Sequence, residues 1–136
     1  MPSVIGTGRQ AGEVAMTTLT AASSAVSTAP TVAVYKLLTG QKALVSGANS
    51  GIGKAVAIAL GQAGADVFVN YVGGDDAADA VVEEIKRFGA RAYAHRADVS
   101  SEDQVAAMFT RMMQECGIID ILVCSAGLQR DSVFTI

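Results

Sequence analysis

The sequence has little of what metal and nucleic-acid sites require. Its 136 residues include one histidine and two cysteines. Cys116 and Cys124 stand eight residues apart, which is not a metal-ligand spacing, and no second Cys/His pair completes a set. No metal centre is therefore expected. Positive charge is not in excess either: ten Lys and Arg face thirteen Asp and Glu, for a net charge of −3. That leaves no electrostatic footprint for nucleic acid. Two cysteines without a convincing secretory leader predict reduced thiols in a cytoplasmic protein. Charge is missing altogether from Val14 to Tyr35. The stretch is long enough for a membrane span. It holds eight Ser/Thr residues and Pro30, however, and few large apolar side chains. Residues 1–37 are predicted to be a flexible or irregular extension rather than a membrane anchor or an organellar leader.

What is present begins near residue 38. Half of the sequence is apolar, enough for one core. Lys42–Ser46 is a short apolar run ending at glycine, which reads as a buried strand. Ile52, Val56, Leu60 and Ala63 follow at helical spacing, and Gly61 and Gly64 mark that helix's end. Asp66–Tyr71 is a second strand, rich in β-branched and aromatic residues. Gly73-Gly74 is a turn, with Asp75 or Asp76 expected to cap a helix carrying Ala78, Val81, Ile85 and Phe88 inward. Arg91–His95 reads as a weaker third strand. Ser101-Glu-Asp-Gln104 is a capping box ahead of the stripe Val105, Met108, Phe109 and Met112. Asp120–Cys124 is a fourth strand. Strands alternating with helices argue for a parallel sheet with helical crossovers.

The chemical signal is Ser46-Gly-Ala-Asn-Ser-Gly-Ile-Gly53. It lies between a strand and a helix, where glycines let backbone approach a pyrophosphate and the helix aims its free N–H groups at the anion. The spacing is Gly-x-x-x-Gly-x-Gly, at Gly47, Gly51 and Gly53. It is neither Gly-x-Gly-x-x-Gly nor a P-loop, because no Gly-Lys-Ser/Thr occurs. The bland alternative is a tight turn without a ligand.

With this loop the sequence resembles the short-chain dehydrogenase/reductase family, which opens with Thr-Gly-x-x-x-Gly-x-Gly; Ser46 keeps the hydroxyl of the threonine. Ala97-Asp98-Val99 resembles the family's Asp-Val pair, whose carboxylate contacts adenine. Ser125-Ala126-Gly127 resembles the family's Asn-Asn-Ala-Gly, with Cys124 and Ser125 replacing the two asparagines. The resemblance covers about residues 38–136 and implies a partial NAD(P)-binding domain: a Rossmann-type, doubly wound α/β sheet with the first four strands only, in the order 3-2-1-4. It implies cofactor binding by Ser46, Gly47, Asn49, Ser50, Gly51, Ile52, Gly53, Asn70, Tyr71, Asp98, Val99, Ser125, Ala126 and Gly127. Weakly, the Asn70-Tyr71-x-Gly segment is similar to glucose dehydrogenases and 3-oxoacyl reductases. The implied reaction is hydride transfer between nicotinamide and an alcohol or carbonyl, a sugar among the options.

NAD specificity usually draws on an acidic residue at the end of the second strand. The sequence there reads Asn70-Tyr71-Val72-Gly73-Gly74, with no carboxylate at the tip and no adjoining arginine. NADP or dual use is favoured over NAD alone. The family's Tyr-x-x-x-Lys is missing: four residues beyond Tyr35, Tyr71 and Tyr93 stand Thr39, Asp75 and Ala97. No catalytic residue is assigned, and His95 is expected at a solvated rim. The expectation is a truncated, inactive chain. In that topology the fourth strand is an apolar edge and one sheet face carries a single helix, which predicts an incomplete domain. A homo-oligomer or association with full-length homologues would cover it. Two other readings stay open: a non-catalytic dinucleotide-binding or oligomerisation module, and another Rossmann enzyme such as a methyltransferase.

Overall fold

The computed structural model describes residues 35–128. Four strands, β1 (Lys42–Ser46), β2 (Asp66–Tyr71), β3 (Ala92–Arg96) and β4 (Ile121–Cys124), form one parallel sheet in the order β3-β2-β1-β4. Three helices connect them: α1 (Gly51–Gln62), α2 (Asp75–Arg87) and α3 (Glu102–Cys116). The parallel sheet is the one expected from the alternating pattern, and its order is the one the family resemblance implies. Most of the predicted extension, residues 1–34, lies outside the described residues, as do residues 129–136.

The central strands are buried on both faces, as parallel strands under helical crossovers are. Strand alternation sends Ala43, Val45, Val67 and Val69 to one face, where they meet Ala57 of α1 and Ala78, Val81 and Ile85 of α2. It sends Leu44 and Phe68 to the other, where they meet Met108 and Met112 of α3. Phe68 stacks on Tyr93 with ring centroids 4.8 Å apart. Each such fully buried aliphatic side chain contributes about 1.5–3 kcal/mol.

Two local expectations need correction. On α1 the buried stripe is Gly53, Ala57 and Gly61, one position round from the stripe read from the sequence. Ile52 is 79% exposed, and Val56 and Leu60 only flank the core. The reason is distance. A Cβ on Gly61 would lie 2.6 Å from Ile85 Cγ2, so this face must be small for α1 and α2 to meet. On α2 the capping position is Gly74, at φ 82°, and no side chain caps the helix. Asp75 and Asp76 stand inside the first turn, where their charge still favours the positive end of the helix. The capping box on α3 forms by half. Ser101 accepts from the Gln104 N–H, but the Gln104 carboxamide accepts from the Asp98 N–H at 2.9 Å instead of that of Ser101.

At the other end of the sheet, Lys36 Nζ donates to the Phe88 carbonyl at 2.7 Å, beyond the last turn of α2. The ladder between β1 and β4 starts where Lys42 N–H donates to Asp120 Oδ2 at 2.8 Å and Asp120 N–H donates to the Lys42 carbonyl at 2.9 Å. Strand β4 closes the described sheet as an edge. Its Ile121 and Val123 pack on the α1/α2 side. Leu122, on the α3 side, is 56% exposed. This is the single-helix face expected from the topology.

Candidate functional site

The C-terminal ends of β1, β2, β3 and β4 converge on two adjoining clefts. The first, about 670 Å³, is lined by Gly47, Asn49, Ser50, Gly51, Ile52 and Gly53, by Val72 and Gly73, and by Ser125, Ala126 and Gly127. The second, about 650 Å³, runs from Val72, Ala126 and Gly127 to Asp98, Val99, Ser100 and Leu128. Val72, Ala126 and Gly127 line both, so the two form one continuous surface.

The glycine loop lines the first cleft, and two of its glycines stand where a side chain will not fit. A Cβ on Gly53 would lie 2.2 Å from the Gly47 carbonyl oxygen, and one on Gly47 would lie 2.9 Å from Ala126 Cα. Gly51, at φ 55°, has nothing within 4 Å of its Cβ direction. Its neighbour Ser50 is the N-cap of α1, but its side chain makes no capping bond. No acidic residue occupies the first turn of α1. The first N–H groups of that helix and its positive dipole end are left for an anion.

Ser46 stands behind this loop. It is 7% exposed at the end of β1, and its Oγ accepts from Ser125 N–H at 3.0 Å and Ala126 N–H at 3.1 Å. The hydroxyl thus locks the loop after β4 onto the loop after β1. The bonds use only backbone of the 125–126 segment, so the replacement at Cys124-Ser125 leaves this path intact.

Asn70 and Tyr71 also stand behind the walls. Asn70 is 1% exposed, and its Nδ2 donates to the Ala97 carbonyl at 2.9 Å, stitching β2 to the segment after β3. Its own carbonyl accepts from Ala48 N–H at 2.9 Å. Tyr71 packs into the α1/α2 core. Burial, then the neighbouring Asp75 carboxylate, pushes its hydroxyl above the ordinary value of 10.0. The residues that meet the cleft here are the next two, Val72 and Gly73, which reading the strand end alone passes over. Ser100 and Leu128 were likewise missed. Both adjoin motif residues, and extending each motif by one or two positions would have found them.

Asp98 lies at the mouth of the second cleft. The Ser100 hydroxyl, at 2.6 Å, and the Ser100 N–H, at 2.9 Å, hold its carboxyl below the ordinary 3.8. His95 is away from both clefts, beside Arg111 at 3.3 Å. Burial, then the Arg111 charge, lowers its pKa below 6.5. Cys116 sits against the α3 core, where burial raises its thiol. Among the described residues no group of three His, Cys, Asp or Glu is placed to hold a metal ion, and no helix is long and apolar enough to cross a membrane.

The sequence and fold are similar to those of known proteins. The family model for short chain dehydrogenases matches residues 41–135. The 3-oxoacyl-[acyl-carrier-protein] reductase of Staphylococcus aureus is 43% identical over 93 residues, 68% of this chain and 38% of the relative. The versicolorin reductase of Emericella nidulans is 45% identical over 91 residues, 67% of this chain and 34% of the relative. Among solved structures, a short chain dehydrogenase from Burkholderia cenocepacia in complex with NADP superposes with a TM-score of 0.69 at 39% identity. It covers 72% of this chain and 40% of that one. A dehydrogenase/reductase from Sinorhizobium meliloti reaches the same score at 37% identity over 74% of this chain. The chain spans well under half the length of the relatives it matches. A match over residues 41–135, with the sheet order and the glycine loop described above, places this chain in the short-chain dehydrogenase family.

Proposed function

We propose that the joined clefts hold a nicotinamide dinucleotide, and that this chain is the cofactor-binding part of an oxidoreductase that transfers hydride between that cofactor and a carbonyl or alcohol. One observation carries the reading: the uncapped, acid-free N-terminus of α1 opens onto the cleft, beside a loop whose backbone packs closely only because Gly47 and Gly53 carry no side chain. The Gly51, Ile52 and Gly53 N–H groups would take the pyrophosphate. Asp98 and Val99 would flank the adenine, and Ser125–Gly127 would form the facing wall. Asn70 and Tyr71 contribute by fixing where the chain leaves β2 and not by side-chain contact. A bound nicotinamide would donate the hydride in carbonyl reduction or accept it in alcohol oxidation; this chain's residues would bind and orient it.

The wall after β2 presents Val72 and Gly73, with no carboxylate to accept a ribose 2′-hydroxyl or repel a 2′-phosphate. This favours NADP or dual use. The NADP complex among the structural neighbours supports the same choice. The reductases among the relatives favour carbonyl reduction over sugar oxidation. The 136 residues contain no Tyr-x-x-x-Lys. The chain on its own is therefore expected to bind without turnover.

Calorimetric titration of the chain with NADP⁺, NAD⁺ and S-adenosylmethionine tests the reading. NADP⁺ is expected to bind at least as tightly as NAD⁺. Binding of S-adenosylmethionine alone would sink it and favour a methyltransferase. A second reading, an oligomerisation module, draws on the half-exposed Leu122 of edge strand β4. It is compatible with cofactor binding.

A further inference from the structure

The segment between β2 and α2 is a thinly anchored wall of the clefts. Val72, Gly73 and Gly74 follow one another there, and Gly74 sits at φ 82°. Two consecutive glycines give this stretch wide backbone freedom. Among the described residues, neither Val72 nor Gly73 takes part in a backbone hydrogen bond to another loop. The Tyr71 carbonyl just before the segment accepts from Ala97 N–H at 2.9 Å, and the Gly74 carbonyl accepts from Ala77 and Ala78 N–H at 3.1 Å, so backbone bonds hold the two ends and leave Val72 and Gly73 between them. One side chain crosses from the glycine loop. Asn49 Nδ2 donates to the Gly73 carbonyl at 2.6 Å, joining residues 24 apart in sequence. Both residues line the first cleft. The fit leaves little slack, since a Cβ on Gly74 would lie 3.2 Å from that same Nδ2.

We propose that Asn49 is a positioning residue whose carboxamide clasps the Gly73 carbonyl and holds the 72–74 segment in place as the wall of the dinucleotide cleft. The inference rests on the cleft being a dinucleotide site, and it adds how that site is kept ready. A Gly-Gly segment left loose must be ordered when a ligand binds, and that ordering is subtracted from affinity. With the clasp formed, the ordering is done during folding. The clasp also occupies the one backbone acceptor that Gly73 carries, at the wall with no carboxylate of its own.

The test uses the 136-residue chain and two variants, Asn49→Ala and the near-isosteric Asn49→Asp, which keeps size and loses the donor. Asn49 is half-exposed in a turn, and thermal melts serve as the folding control. Backbone ¹⁵N order parameters are read without ligand, and 5′-ADP and 2′,5′-ADP are then titrated in. Both variants are expected to show lower order parameters at Gly73 and Gly74, with Val45 and Val69 unchanged. Asn49→Ala is expected to bind each nucleotide about five- to ten-fold more weakly, the factor for one lost hydrogen bond; Asn49→Asp, which adds a negative charge to the cleft, is expected to bind more weakly still. Weaker binding with unaltered order parameters would mean that Asn49 merely touches the ligand, and would overturn the clasp. So would wild-type affinity in Asn49→Ala. If the wild-type chain binds neither nucleotide while the order parameters respond as expected, the dinucleotide reading falls and the clasp is left as a loop anchor without that role.

Discussion

Ser46 Oγ accepts the backbone N–H of Ser125 at 3.0 Å, a bond across 79 residues of sequence. A second bond, from Ala126 N–H, shares the same oxygen. These two contacts couple the glycine loop to the far wall of the cleft, so one hydroxyl carries part of the site's shape. Ser46→Ala is expected to cost about 1–3 kcal/mol, the penalty for leaving such donors without a partner. Nucleotide affinity should fall with it. Ser46→Thr keeps the oxygen and should retain most of both. Urea unfolding and nucleotide titration of the two variants check this, and an Ala variant as stable and as tight-binding as wild type would contradict it.

Gly53 and Gly51 should respond differently to the same change. Gly53→Ala drives a Cβ against the Gly47 carbonyl, which is backbone and cannot swing aside. We expect a loss of about 3 kcal/mol or more together with loss of nucleotide binding. Gly51→Ala meets no atom within 4 Å and suffers only from its φ of 55°. The expected cost there is about 1–2 kcal/mol. Equal stabilities for the two variants in urea would show that the loop does not pack as described.

His95 should make stability depend on pH in the mildly acidic range. Burial and Arg111 lower its folded-state pKa below 6.5, while Glu115 opposes them weakly. Above 6.5 the ring is neutral in both states and has no effect. As pH falls below 6.5 the unfolded chain takes up the proton first, so stability declines until the folded pKa is passed. His95→Gln should remove this component. The difference in unfolding free energy between wild type and variant should therefore change between pH 7.5 and pH 5. A difference that stays constant across that range would refute the assignment.

Leu122 should govern self-association. It faces the α3 side of edge strand β4 at 56% exposure, and neither Lys nor Pro occurs in Ile121–Cys124 to discourage pairing. Leu122→Lys is expected to shift the sedimentation profile toward monomer and to raise solubility, without weakening nucleotide binding. A wild-type chain that sediments as a clean monomer at high concentration would remove the oligomerisation reading.

Much of this protein can be read from its residues in order. The strand alternation and the Gly47, Gly51 and Gly53 spacing follow from local periodicity and local backbone demands, whereas the strand order and the Asp98 and Ser125–Gly127 segments follow from the resemblance to the family. The first are properties of neighbouring residues, so they determined the elements and the candidate phosphate loop. Tertiary structure decided what depends on distant partners. The buried face of α1 is Gly53, Ala57 and Gly61 because Ile85 and the Gly47 carbonyl leave no room for more. A search for large apolar side chains points to Ile52 instead. Asn70 spends its amide on Ala97, 27 residues away, and so leaves the wall to Val72 and Gly73. Ser46 and Asn49 look alike as polar members of one loop. Only folding shows that one ties down the 125–126 segment and the other the 72–74 segment, because hydrogen bonds at 3.0 Å and 2.6 Å are made by proximity in space and leave no periodicity in the chain.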